Sequence, residues 1–154
     1  MKHKCKKCRK PIHREEIHEY NVGYFHPHCF ETYKKKALQE EADKVWHEAV
    51  LEKYGEQCTF CSNEAYCGHH FYFKGNHPEL RYYIPNGIPI CLSCHFKIHN
   101  NDPKEMEDIV RIKRGKEWEA DLKAQLNKPI PQTSIAYYKN VIETLCQNTK
   151  NITK

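Results

Sequence analysis

The sequence predicts a small α+β protein stabilised by bound zinc. Three observations lead there. Eight cysteines and histidines fall into four pairs with two residues between partners: Cys5 and Cys8, His26 and Cys29, Cys58 and Cys61, Cys91 and Cys94. Inside each set of four lie short stretches rich in aromatic and β-branched residues and broken by glycine, as hairpins require. Between and after the sets run long polar stretches whose apolar residues recur at helical spacing.

The pairs argue for metal on chemical grounds. A Cys-x2-Cys turn brings both ligands onto one ion, with sulfur about 2.3 Å from zinc. One such pair is weak evidence, and two pairs of pairs are strong. They make two complete tetrahedral sets, Cys5, Cys8, His26, Cys29 and Cys58, Cys61, Cys91, Cys94, each expected to hold a structural Zn2+. The chain has nine cysteines, an odd number, which argues against a disulfide framework. Only Cys67 and Cys146 are left over. Cys67 is expected to be a small buried apolar residue.

Bulk properties narrow the partners. The chain has 154 residues, 29% of them charged, and a mean hydropathy of −0.89. No apolar run approaches the roughly 20 residues of a membrane span, and the basic start "MKHKCKKCRK" has no apolar stretch behind it, unlike a secretory signal. A cytoplasmic location with reduced thiols is expected. Seven zinc-bound thiolates and two Zn2+ lower the formal charge of +5 to about +2. Total charge therefore does not announce a nucleic-acid partner, but its distribution is more informative. Residues 1–14 hold seven Lys or Arg and no acid, an arm suited either to phosphate contact or to plain solvation.

Four segments follow. Residues 1–30 form a zinc module in which "IHEYNVGYFHPHCF" makes a hairpin around Gly23 and leads its last ligands into a helix. His13, His18 and His28 compete with His26 as ligands, and His26 is preferred for its two-residue gap to Cys29. Residues 31–54 form a connecting helix, since Leu38, Ala42, Val45 and Ala49 share a face with Trp46 and Val50 beside it. Trp46 is a core residue, Gly55 closes the helix, and Lys34, Lys35 and Lys36 make a solvated face. Residues 55–102 carry the second cysteine set, a strand or hairpin over "YCGHHFYFKGN", and a turn with His77 exposed. Residues 103–154 are helical. Asp102-Pro103 starts one helix to 126, interrupted near Gly115. After the linker "KPIPQTS", Thr133 or Ser134 caps a last one to about Cys146. Tyr82, Tyr83, Tyr137 and Tyr138 are expected as core or edge residues.

The order Cys-x2-Cys-x17-His-x2-Cys, ending in "YFHPHCF", resembles LIM and treble-clef zinc modules over about thirty residues. That likeness implies a binding or scaffolding role for the first segment.

In the third segment four histidines converge. His95 and His99 stand four apart, on one face of a helix starting near Cys94, and the cysteine set brings "GHH" alongside. The series His69, His70, Asn86, His95, His99 resembles the HNH, or His-Me finger, nucleases. The four-cysteine frame with "LRYYIPNG" is similar to phage recombination nucleases of the NinG (Rap) type. The resemblance implies a ββα-metal finger, DNA as partner, a phage or prophage origin in a bacterial host cell, and one catalytic divalent ion. It implies that Asn86 orients the His70 ring or its loop.

The residue types suit that chemistry. Phosphodiester cleavage needs a base for the attacking water, and a neutral imidazole with a pKa of about 6.5 serves. His70 fits, with His69 the alternative one residue away. His69, His95 and His99 fit as ligands of the divalent ion. An all-imidazole set favours Zn2+, Ni2+ or Mn2+ over Mg2+. Arg81, Lys74 and Lys97 are candidates to hold the DNA backbone. The leading expectation is a metal-dependent DNA endonuclease, with branched or replicating phage DNA as its candidate substrate. The alternative is a zinc protein that binds DNA or a protein partner without cleavage.

Overall fold

The longest stretch of helical periodicity becomes the longest element. In a computed structural model of the chain, which describes residues 3–13, 18–100 and 104–152, helix α1 spans Pro27–Tyr54, roughly 42 Å at 1.5 Å per residue. His26 is its N-cap and Pro27 its first residue, so no N–H is wasted there. The helix thus begins inside the expected zinc module rather than at residue 31, with Cys29 buried in its first turn. It ends at Gly55, whose N–H donates to the Leu51 carbonyl at 2.8 Å.

Two antiparallel hairpins sit along this strut. The first pairs β1 (His18–Tyr20) with β2 (Gly23–Phe25). The second pairs β3 (Cys67–His70) with β4 (Gly87–Ile90), placing His69 opposite Ile88 and His70 opposite Gly87. Helix α2 (Leu92–Asn100) follows at once. Then come α3 (Lys104–Leu126) and α4 (Ile135–Ile152). Gly115, at φ 82°, breaks α3 as expected. The Ser134 hydroxyl accepts the Tyr137 N–H at 3.0 Å, an N-cap bond that starts α4. The Asp102-Pro103 start expected for α3 lies outside the described residues. The observed class is α+β with two cysteine-rich sites. No helix among the described residues is long and apolar enough to cross a membrane.

Three small cores result among the described residues. Cys5, Ile12, Phe25 and Cys29 form one, and Cys58, Ile90, Cys91 and Cys94 another. The third has no cysteine: Trp46, Ala49 and Val50 of α1 pack with Ile84 and with Leu145 of α4. Tyr82 packs against that core and Tyr138 is buried, as expected. Both strands of the second hairpin lie very close to α1: a Cβ at Gly68 of β3 would stand 2.9 Å from Val50, and one at Gly87 of β4 would overlap it outright. Helix α3 braces the long connection between β3 and β4. Trp118 Nε1–H donates to the Pro85 carbonyl at 2.7 Å, the Tyr83 hydroxyl to Asp121 at 2.6 Å, and Arg114 stacks over Tyr54 at 3.5 Å.

Two expectations need correction. His77 is half-buried, its ring 5.2 Å from Tyr72 and its Nδ1 3.3 Å from Glu79, because the turn folds back on itself. Cys67 is only half-buried, because its strand position faces away from α1.

Candidate functional site

The two cysteine sets close as their spacing requires. Sulfurs at about 2.3 Å from a tetrahedral ion lie about 3.8 Å apart. Cys61 Sγ stands 3.7 Å from Cys91 Sγ and 3.8 Å from Cys94 Sγ. At the other set, Cys8 Sγ lies 3.5 Å from His26 Nδ1. In each set the four ligand atoms lie within 4.8 Å of one another. His26 therefore takes the place that His13 and His28 could have claimed, while His28 Nε2 touches the rim at 3.3 Å from Cys29 Sγ. The His18 side chain lies outside the described residues.

The thiols are prepared unequally. Burial raises Cys5, but N–H groups of Cys8, His26 and Lys7 outweigh it and hold it at about 5. The Ser93 hydroxyl and the Cys94 N–H hold Cys91 at about 6. Burial and neighbouring sulfurs push Cys29 to about 11 and Cys94 to about 12. Crowded sulfurs that cannot all ionise alone are what a divalent cation resolves. Both sets suit structural zinc.

A third cluster contains no cysteine. Strand alternation turns His69 and His70 to opposite faces. His69 meets α2, where His95 and His99 stand one turn apart. The three rings have centroids 5.1, 5.4 and 4.6 Å apart, and one nitrogen of each lies within 4.8 Å of the others. Three imidazoles with room beside them make a suitable set for a divalent ion with an open position. Burial, then His95 and the other imidazoles, lowers His69 to about 3. Burial and His99 also lower His95. Both are neutral at pH 7 and able to bind metal.

His70 faces the other way, onto α1. Its ring stacks on Trp46 at 3.8 Å, 8° from parallel. Its Nε2–H donates to the Arg81 carbonyl at 2.8 Å, which leaves Nδ1 with the lone pair. Burial lowers it to about 4, against the opposing pull of the Arg81 carbonyl. No protein family, no curated protein and no solved structure matches the chain. Its chemistry must therefore be read from this geometry.

Asn86 is fully buried and acts on the loop. Its Oδ1 accepts the Tyr72 N–H at 2.8 Å, and its Nδ2 donates to the Tyr72 and Leu80 carbonyls at 3.0 and 3.3 Å. It fixes the chain two residues beyond His70 and one residue before Arg81. The ring itself is oriented by Trp46 and the Arg81 carbonyl.

Arg81 and Lys74, expected to hold the DNA backbone, are ion-paired within the chain. The Arg81 guanidinium grips Asp43 of α1 at 2.6 Å, and Lys74 shares that carboxylate at 3.3 Å. Burial raises Asp43, but Arg81 more than offsets it, so the pKa of Asp43 falls below its ordinary value and the carboxylate stays ionised. Lys97 is exposed on α2. Of the basic arm, Lys4, Lys6, Lys7, Arg9 and Lys10 are exposed, with Lys6 donating to the Val22 carbonyl at 2.8 Å.

His47 joins the site without a motif to announce it. It lines the same cleft of about 690 Å3 as His69, His70, His95 and His99. It lies 2.8 Å from the Gly68 carbonyl through Nδ1, so Nδ1–H donates and Nε2 keeps the lone pair. The available signal was its place on the helix, next to Trp46.

Proposed function

We propose that the chain is a metal-dependent DNA endonuclease whose general base is His70. The strand–strand–helix order of β3, β4 and α2, framed by a four-cysteine site, supports reading residues 55–102 as a ββα-metal finger. The observation that carries the reading is the division of labour at His69-His70. One imidazole joins two others as a ligand set, while its neighbour is buried, neutral and held in a single tautomer.

Each group has a task. His69, His95 and His99 would hold the divalent ion, which supplies a Lewis acid for a phosphodiester oxygen. His70 Nδ1 takes the proton of the attacking water. Its Nε2–H stays on the Arg81 carbonyl, which steadies the imidazolium as it forms. Trp46 keeps the ring in place, and Asn86 keeps its loop in place. His47 holds the Gly68 carbonyl and so the start of the histidine strand.

Plasmid nicking with added Mg2+, Mn2+, Ni2+ or Zn2+ tests this. His70→Ala should lower the single-turnover rate about 10²–10⁴-fold and leave calorimetric metal binding unchanged. His95→Ala should weaken metal binding instead. A His70→Ala protein that cuts like the parent would move the base to His69. Nicking by no ion at all would leave the non-cleaving zinc protein as the reading.

A further inference from the structure

The cleft beside the histidines is poor in free positive charge. Among the described residues lining it are two lysines and three carboxylates, besides the imidazoles. Lys74 is held by Asp43 at 3.3 Å, whereas Lys44 meets Glu48 at 3.8 Å only in an exposed pair along the helix. Duplex DNA presents one negative charge per about 1.7 Å of axis, and affinity for it comes largely from unpaired Lys and Arg. With three carboxylates against two lysines, this wall supplies little of it.

It supplies rings instead. Tyr66 is 71% exposed and Phe73 is 53% exposed, and both line the cleft. Tyr66 stands immediately before β3 and Phe73 three residues after it, so the His69-His70 pair lies between them in the chain. Neither ring belongs to one of the three apolar cores, and each leaves more than half of its surface to solvent. Stacked bases would cover them, and stacking tolerates any sequence because every base has a π-face. A paired base within a duplex keeps its faces on its neighbours and cannot offer them.

We infer that Tyr66 and Phe73 are base-stacking platforms, and that the site takes DNA whose nucleotides next to the scissile phosphate are unpaired. This rests on the nuclease reading for the word scissile, while the binding preference stands by itself.

Fluorescence anisotropy of the full-length zinc-loaded protein, without further divalent ion, tests it with three probes. These are a labelled single strand, its duplex, and the same strand with abasic sites. The single strand should bind at least about tenfold tighter than the duplex, and the abasic strand should lose that advantage. Tyr66→Leu and Phe73→Leu should each weaken single-strand binding on the order of tenfold, leaving duplex binding unaltered. Tyr66→Phe should keep it. Equal binding of single strand and duplex, an abasic strand bound as well as the intact one, or leucine variants that bind like the parent would each overturn the inference. The nuclease reading fails by a separate result: no strand is cut with any ion while the single-strand preference persists.

Discussion

His69 and His70 are chemically identical and differ only in what the fold places around them. His70 is 7% exposed and lies flat on Trp46. Its folded pKa of about 4 is below its ordinary 6.5, so the unfolded chain binds the extra proton first. The stability it contributes is complete above about pH 6.5 and is lost as the pH falls toward about 4. Urea midpoints of wild type and His70→Phe should therefore converge or cross as the pH drops from 7 to about 4. Parallel curves over that range would contradict the burial argument. Trp46 carries a second expectation. Its Nε1 is buried and has no hydrogen-bond partner among the described residues. Trp46→Ala opens a cavity and should cost about 3–5 kcal/mol. Trp46→Phe keeps a ring under His70 and removes the unpaired N–H, whose desolvation costs about 1–3 kcal/mol. It should lose clearly less stability than the alanine variant in denaturant titrations.

At the scale of elements, helix α1 and the second hairpin must nearly touch. The helix can carry Asp43 to Arg81 and Trp46 to His70 only because Gly68 and Gly87 present no side chain to Val50. A Cβ at Gly87 would meet Val50 at 2.2 Å and the Ile84 carbonyl at 3.0 Å. Gly87→Ala should cost about 1–3 kcal/mol as overpacking. Val50→Ala should recover part of that loss in the double variant, because the two positions share one contact. Chemical denaturation of the four proteins measures the coupling. Additive losses would mean that the helix does not rest on the strand there.

At the scale of the whole molecule, the described residues form three small cores, two of them built on cysteines. Structural zinc binds with an apparent free energy of about 10–16 kcal/mol, as large as the whole stability of a typical domain, about 5–15 kcal/mol. Metal and fold are therefore one equilibrium here. Elemental analysis should find at least two zinc per chain. Cys61→Ser should lose one of them and unfold the central hairpin, as seen in hydrogen exchange. A strong chelator should do the same to both cysteine sites. A folded chain with one zinc or none would remove the structural role of these clusters.

The sequence by itself determined the features written in fixed spacings. Within each pair from Cys5 to Cys94 the two ligands turn toward one ion as the x2 gap requires, because a knuckle turn is local. His95 and His99 share a face because four residues make about one helical turn. Trp46, the break at Gly115 and the Ser134 cap are likewise set within a few residues of themselves. Contacts between distant segments were decided only by the tertiary structure. Arg81 and Lys74 look like free cations until α1 brings Asp43 against them, 38 and 31 residues away in the chain. His47 looks like one more polar helix residue until β3 packs beside it. The tautomer of His70 depends on a backbone carbonyl eleven residues on, and a backbone carbonyl has no letter in a sequence. Local pattern fixes which groups are present, and the packing of helix on strand fixes which of them are neutralised, aimed or left facing solvent.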